Sequence, residues 1–67
     1  APAVAFDRED NLFDRVQEWL ARENVHCVLV DEAQFLSRDQ VYQLTEIVDR
    51  LNIPVLCFGL LIASLVA

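Results

Sequence analysis

Two adjacent carboxylates, Asp31 and Glu32, are the residues of this chain whose types and spacing are best suited to chemistry. They follow three apolar residues in the stretch VLVDEAQFLS, residues 28–37. A carboxylate that closes an apolar strand can hold Mg²⁺ against nucleotide phosphates, which is the Walker B arrangement. A second carboxylate beside it can act as a general base on an attacking hydroxyl. The plainer alternative is a solvated strand end that carries two ordinary surface acids.

A strand, a helix and a second strand are predicted around this pair. Residues 25–31 and 53–60 are nearly continuous apolar runs, which is typical of strands covered on both faces. A helix predicted over residues 37–51 separates them. The fold class is therefore α/β, with a βαβ unit whose strands are parallel and whose crossover is right-handed. Asp31 and Glu32 then lie at the carboxyl end of the first strand, where such sheets bind ligands.

Local signals mark both ends of that crossover helix. Ser37 followed three residues later by Gln40 predicts a capping box, in which each side chain satisfies a free backbone amide. Asn52 and Pro54 are expected to end the helix.

An earlier helix is predicted over residues 7–24. Acidic residues crowd its front, where the helix dipole favours negative charge, and Asn24 is the expected end. Trp19 is expected to anchor this helix to the sheet. The apolar residues at helical spacing are Leu12, Phe13, Val16, Trp19 and Leu20.

Composition excludes some classes of function. The chain has 67 residues and a formal net charge of -6, and its five basic residues are all arginines. Without a basic patch, nucleic-acid binding is not expected. The apolar run over residues 55–67 is shorter than the roughly 20 residues that span a bilayer, so no membrane segment is expected.

Cys27 and Cys57 each lie inside an apolar run. We expect both to be reduced residues of a cytosolic core, because free cysteine is among the most buried residue types. His26, at the entry of the first strand, is expected to be an edge or core histidine, and these three residues are too few for a zinc site. The beginning of the chain, APAVAF, does not have the pattern of a signal peptide.

The stretch VLVDEAQFLSRDQVYQLTEIVDRLNIPVLCFGL, residues 28–60, strongly resembles the P-loop thymidine kinase family of bacterial and cellular type. The resemblance covers the DE-x-QF signature, the capped helix and the strand IPVLCFGL. The preceding FDREDNLFDRV and HCVLVDEAQFL also look like that family, so the match extends over about residues 1–60. It implies a partial P-loop NTPase core.

The resemblance also implies roles for individual residues. Glu32 would be the base that takes the proton from the thymidine 5′-hydroxyl, and Asp31 would be the acid associated with Mg²⁺. Asp31, Glu32, Ala33 and Gln34 would lie beside the ATP phosphates. Phe35 would lie against the thymine base, with simple core packing as the alternative. ATP, Mg²⁺ and thymidine are the implied cofactors and substrate, in a cytoplasmic, homo-oligomeric enzyme of pyrimidine salvage.

The sequence departs from the family pattern in three places. It contains no lysine and a single glycine, Gly59, so the phosphate-binding loop G-x-x-x-x-G-K-[ST] is missing. The family's thymidine-clasping loop and zinc-binding cysteines, which belong to its C-terminal part, are missing too. Residues 61–67 do not match and are expected to prolong the strand or to begin a helix.

Residues 1–67 are therefore expected to form one incomplete domain that does not phosphorylate thymidine by itself. Two alternatives stay open: a noncatalytic remnant or interaction fragment that self-associates or aggregates, and a piece of another P-loop ATPase such as a helicase.

Overall fold

The computed structural model describes residues 3–59 and the backbone of residues 63–66. It contains two helices and a three-stranded sheet in the strand order β1-β2-β3. A short 3-10 turn, Ala33–Phe35, follows the first strand. The elements are α1 (Leu12–Leu20), β1 (Val28–Val30), α2 (Arg38–Leu51), β2 (Val55–Phe58) and β3 (Ala63–Val66).

The predicted βαβ unit is confirmed. Strands β1 and β2 pair in parallel, with Val28 opposite Val55 and Val30 opposite Cys57, and α2 connects them. Both strands are shorter than the apolar runs that predicted them. The last residue of the second run, Leu60, lies outside the described residues.

Residues 61–67 were expected to prolong the second strand or to begin a helix, and the described part of this segment does neither. Residues Ala63–Val66 return antiparallel to β2, with Phe58 opposite Ala63 and Val55 opposite Val66. Gly59 follows β2 with a φ of 148°, a conformation that side-chain-bearing residues rarely adopt. The backbone therefore leaves the line of β2 at this glycine.

Helix α2 has the predicted ends. The Ser37 hydroxyl accepts from the Gln40 amide at 3.1 Å, and the Gln40 side chain accepts from the Ser37 amide at 3.1 Å. Asn52 takes the left-handed conformation at the other end, with a φ of 57°. Asparagine tolerates this conformation because its short polar side chain can bond locally.

Helix α1 is shorter than the predicted span of residues 7–24. Asp7 accepts from the Glu9 amide at 2.9 Å, so the chain forms a turn where the helix was expected to begin. Asn11 then caps the helix by accepting from the Asp14 amide at 3.0 Å. Short polar side chains compete with the helix for backbone amides, which explains the late start. The helix ends at Leu20 rather than at Asn24.

The core lies between the helices and one face of the sheet. Leu44 and Ile47 of α2 are almost fully buried, and Val55 on β2 is completely buried. Helix α1 contributes Leu12 and Phe13 to this cluster. Trp19 was expected to anchor α1, but it is half-buried and lies outside the core cluster. The fully buried residues of α1 are in its first turn, whereas Trp19 is near its end.

The prediction that the strands are covered on both faces is wrong for β1. Alternate residues of a strand point to opposite faces, so Val30 points to the helices while Leu29 points away and is 66% exposed. Cys27 shares the side of Leu29 and is exposed, which corrects its predicted core position. Cys57 is buried with Val55, and both cysteines are free thiols as predicted. His26 is exposed just before β1, so it is not a core residue.

Candidate functional site

The candidate site lies at the carboxyl ends of the parallel strands β1 and β2. Asp31 directly follows β1, and the 3-10 turn Ala33–Phe35 carries the chain over the end of the sheet. Gly59 directly follows β2 and lies against this turn. Ligands of parallel α/β sheets bind at this edge, and Asp31 and Glu32 lie at it.

Glu32 has an unusual backbone conformation for a residue with a long side chain. Its φ of 57° and ψ of 41° are left-handed, a conformation that costs about 1–2 kcal/mol outside glycine. Its carbonyl oxygen accepts from the Phe35 amide at 3.0 Å. Its side-chain Oε2 accepts from Nε2 of Gln34 at 2.6 Å. The carboxylate of Glu32 is therefore held at an exposed position by a residue of the same turn.

Asp31 supports the turn with one of its two oxygens. Its Oδ1 accepts from the Glu32 amide at 2.9 Å, and no described residue bonds to Oδ2. Mg²⁺ in nucleotide sites is commonly held by one or two carboxylates together with phosphates and water. An exposed carboxylate with one free oxygen fits that mode of binding.

The described residues contain no group of three or more histidine, cysteine, aspartate or glutamate side chains that could enclose a metal ion. A carboxylate that binds Mg²⁺ in a nucleotide site commonly shares the ion with phosphates and water, whereas a structural zinc site closes its own coordination shell with protein ligands.

The turn is attached to the fold by its apolar members. Ala33 and Leu36 are partly buried and pack against the core cluster. Phe35 points outward and is 62% exposed, so the alternative of simple core packing does not describe it. Phe35, Asp31 and Glu32 line a groove of about 990 Å³ together with residues of β1 and of the N-terminal segment. An aromatic ring thus lies on the same concave surface as both carboxylates.

Gly59 is the site residue that the sequence analysis missed. It was noted only as evidence against a phosphate-binding loop, yet the structure places it against residues Glu32–Gln34. The available signal was its position as the single glycine of the chain, directly after the second predicted strand. The contact joins Gly59 to residues 32–34, which are distant in sequence, so no local sequence pattern predicts it.

Comparisons with known proteins agree with the resemblance. The thymidine kinase family model matches residues 3–63. A thymidine kinase from Haemophilus influenzae is 66% identical over 58 residues, which is 87% of this chain and 30% of that protein. Relatives with the same name from Mannheimia succiniciproducens and Aliivibrio fischeri are 60% and 58% identical over 87% and 90% of the chain.

The chain spans about 30% of the length of these curated relatives, and no solved structure matches it. No helix in the described part of the chain has the length and apolar character needed to cross a membrane. The family match covers the whole candidate site, from Asp31 to Gly59. The chain belongs to the thymidine kinase family rather than to another class of P-loop ATPase.

Proposed function

We propose that these residues form the acid/base segment of an ATP:thymidine 5′-phosphotransferase. The observation that supports the proposal best is the exposed pair Asp31 and Glu32 at the carboxyl end of β1, inside the region that matches the family. The proposed reaction moves the γ-phosphoryl group of ATP to the 5′-hydroxyl of thymidine and releases ADP.

Glu32 is the proposed general base. It accepts the proton of the 5′-hydroxyl while that oxygen bonds to the γ-phosphorus and the bond from phosphorus to the leaving ADP oxygen breaks. The side-chain amide of Gln34 donates a hydrogen bond to Oε2 of Glu32, and among the described residues Oε1 has no hydrogen-bond partner. That oxygen is available to a substrate hydroxyl.

The neighbouring residues have supporting roles in the proposal. Asp31 would hold Mg²⁺, which neutralises phosphate charge when it is bound. The Ala33–Gln34 backbone would lie beside the ATP phosphates. Phe35 would contact the thymine ring with its exposed face, since an aromatic ring offers a large apolar surface to a planar base.

A chimeric enzyme tests this function. The 58 aligned residues of this chain would replace their counterparts in the Haemophilus influenzae relative, and thymidylate formation would be measured. Glu32→Gln should lower kcat by about 100-fold to 10,000-fold, because it removes the base and keeps the size of the side chain. Glu46→Gln, on the exposed face of α2, is the matched control and should leave kcat unchanged. An active Glu32→Gln chimera would show that the carboxylates have another role.

The 67 residues alone should give no thymidylate above a blank without enzyme. They contain no lysine and no glycine-rich loop, so the triphosphate lacks its usual partners. Each lost charge-assisted contact costs about 1.5–3 kcal/mol. Turnover by the 67-residue chain would contradict this part of the proposal. The proposal places the complete activity in the cytoplasm, in a homo-oligomeric enzyme whose zinc is bound by residues outside these 67.

A noncatalytic interaction fragment is the second candidate. The open edge of β1 and the exposed side chain of Leu29 favour it, because unpaired strand edges and apolar side chains promote association between chains. Sedimentation velocity over a range of concentrations would test it. Self-association that Leu29→Asp abolishes would support this candidate, and a monomer at all concentrations would exclude it.

A further inference from the structure

Gly59 makes an unusually close approach to the turn that carries the two carboxylates. A Cβ atom at this position would lie 2.9 Å from the carbonyl carbon of Glu32 and would overlap the backbone nitrogen of Ala33 and Oε1 of Gln34. Real Cβ atoms essentially never come within 3.0 Å of another atom in this way. Two of the three atoms belong to the backbone, so a rotamer change could not relieve the overlap.

The backbone of Gly59 adds a second reason for glycine. Its φ of 148° is rarely adopted by residues with a side chain. A substitution would therefore change the direction in which the chain leaves β2, and it would also push the turn Glu32–Gln34 away from the sheet. Both effects act at the carboxyl ends of the paired strands.

The Gln34 amide lies between this glycine and the carboxylate of Glu32. Its Oε1 faces the position that a Cβ of residue 59 would occupy, and its Nε2 donates to Oε2 of Glu32 at 2.6 Å. A hydrogen bond to an ionised carboxylate is shorter and stronger than one between neutral groups. The oxygen end of the Gln34 amide therefore lies against Gly59, which has no side chain, while its nitrogen end orients the carboxylate of Glu32.

We propose that Gly59 and Gln34 are positioning residues for Glu32. Gly59 allows the turn to lie close to the end of β2, Gln34 occupies the space beside it, and the amide fixes one carboxylate oxygen so that the other is left for a substrate hydroxyl. The catalytic consequence of this inference rests on the proposed function, whereas the positioning itself is a property of the folded chain. Neither residue contacts the reacting atoms in this role.

Nuclear magnetic resonance of the 67-residue chain tests the positioning without any activity. The side-chain amide protons of Gln34 should resonate downfield of those of the exposed Gln17, because they are bonded to a carboxylate. Glu32→Ala should abolish the difference, and Gly59→Ala should abolish it as well. Val55→Ala, which weakens the core on β2 without touching the turn, should keep it. A Gln34 amide that is unchanged by Gly59→Ala would overturn the proposal.

Kinetics of the chimeric enzyme test the consequence. Gly59→Ala and Gln34→Leu should each lower kcat by about tenfold to 100-fold, the loss typical of a displaced reacting group. Gln34→Leu keeps the backbone of the turn, so its KM values for ATP and thymidine should be nearly unchanged, whereas Gly59→Ala should also raise the KM for ATP because it displaces the Ala33–Gln34 backbone. The double variant should lose little more than either single variant, because both act on the same carboxylate. Val55→Ala should lower the thermal midpoint and leave kcat unchanged at temperatures where the enzyme is folded.

The outcomes separate the two levels of the proposal. An unsubstituted chimera without turnover would contradict the proposed function, and the amide resonance would still decide whether Gly59 positions Glu32. If Gly59→Ala prevents folding, Gln34→Leu still decides whether the Gln34 amide positions Glu32, since it replaces an exposed side chain. A Gln34→Leu loss that appears in KM instead of kcat, or kcat losses that add up in the double variant, would overturn the positioning role.

Discussion

The helical layer and the acidic turn are held together in opposite ways. In the helical layer, Gln40 donates to the carbonyl oxygens of Asp7 and Asp10, which lie 33 and 30 residues away in sequence. In the acidic turn, the hydrogen bonds of Asp31 and Glu32 join residues no more than three positions apart. The bonds of Gln40 connect distant parts of the chain, whereas those of the acidic turn fix only the local conformation of residues 31–35.

Burial follows the same division. Gln40, Leu44 and Ile47 on α2 are at most 2% exposed, whereas Asp31 and Glu32 are exposed. Burial stabilises a fold in proportion to the apolar area removed from water. The free energy of folding therefore depends mainly on the buried face of α2. Substitutions of the exposed acids in the turn should change it less.

Ile47→Ala should produce the largest change, a loss of about 2–5 kcal/mol in the free energy of unfolding, since it leaves a cavity in the core. A chain of this length has about 3–10 kcal/mol in total, so the variant should be partly unfolded. Urea denaturation followed by circular dichroism measures the loss. Val41→Ala, half-exposed on the same helix, should cost far less. Equal losses would contradict the concentration of stability in the buried face of α2.

Gln40→Ala should cost about 2–3 kcal/mol, because it leaves two backbone carbonyls and the Ser37 amide without their partner. The matched control is Gln17→Ala on the exposed surface of α1, which should change stability by less than about 0.5 kcal/mol. Thermal denaturation of both variants decides the point. A tolerated Gln40→Ala would mean that the link to residues 7–10 contributes little.

Glu32→Gly should stabilise the chain by up to about 1 kcal/mol, because glycine adopts the left-handed conformation without the steric cost. Glu18→Gly in the last turn of α1 should instead destabilise it, by up to about 1 kcal/mol. Chemical denaturation measures both, and opposite signs for the same replacement would show that the turn is strained where the helix is not. In the chimeric enzyme, the stabilised Glu32→Gly variant should be inactive.

Ionisation of the buried Cys57 thiol should have the smallest effect on stability of these changes. Cys27 and Cys57 should nevertheless differ clearly in their rates of reaction with a thiol reagent. Cys27 should react at once with a thiol reagent, whereas Cys57 should react only as the chain opens, because it is buried and burial raises the pKa of its thiol above the ordinary value. The unfolded chain then loses this proton first. The contribution of Cys57 to stability is complete below the pKa of the unfolded thiol and is lost as pH rises through the raised pKa in the fold. Fast reaction of both thiols in the native chain would contradict the burial of Cys57.

The crossover helix was predictable because its signals are local. Ser37, Gln40 and Asn52 each bond or bend within a few residues of themselves, so their pattern is legible in the sequence. The start of α1 was not, because Asp7 and Asn11 could serve either a helix or a turn, and tertiary bonds to α2 decided between them.

The position of the candidate residues at the end of β1 was predictable, and their local geometry was not. The acidic pair and Phe35 could be located from the end of an apolar strand and from the family resemblance. The left-handed Glu32 and the contact of Gly59 with the turn depend on how β2 lies beside β1, which only the folded chain defines. The exposed side of β1 was missed for a related reason, since an apolar run does not reveal how many of its faces are covered.

The capping box of α2 has a consequence for the speed of folding. Val28 cannot pair with Val55 until the chain between them is compact, and α2 makes up 14 of those residues. As a helix they span about 21 Å, and fully extended they would span about 46 Å. Forming α2 therefore lowers the loop-closure entropy that parallel pairing must overcome. Ser37→Ala should slow refolding, whereas changes in the acidic turn should act mainly on the rate of unfolding.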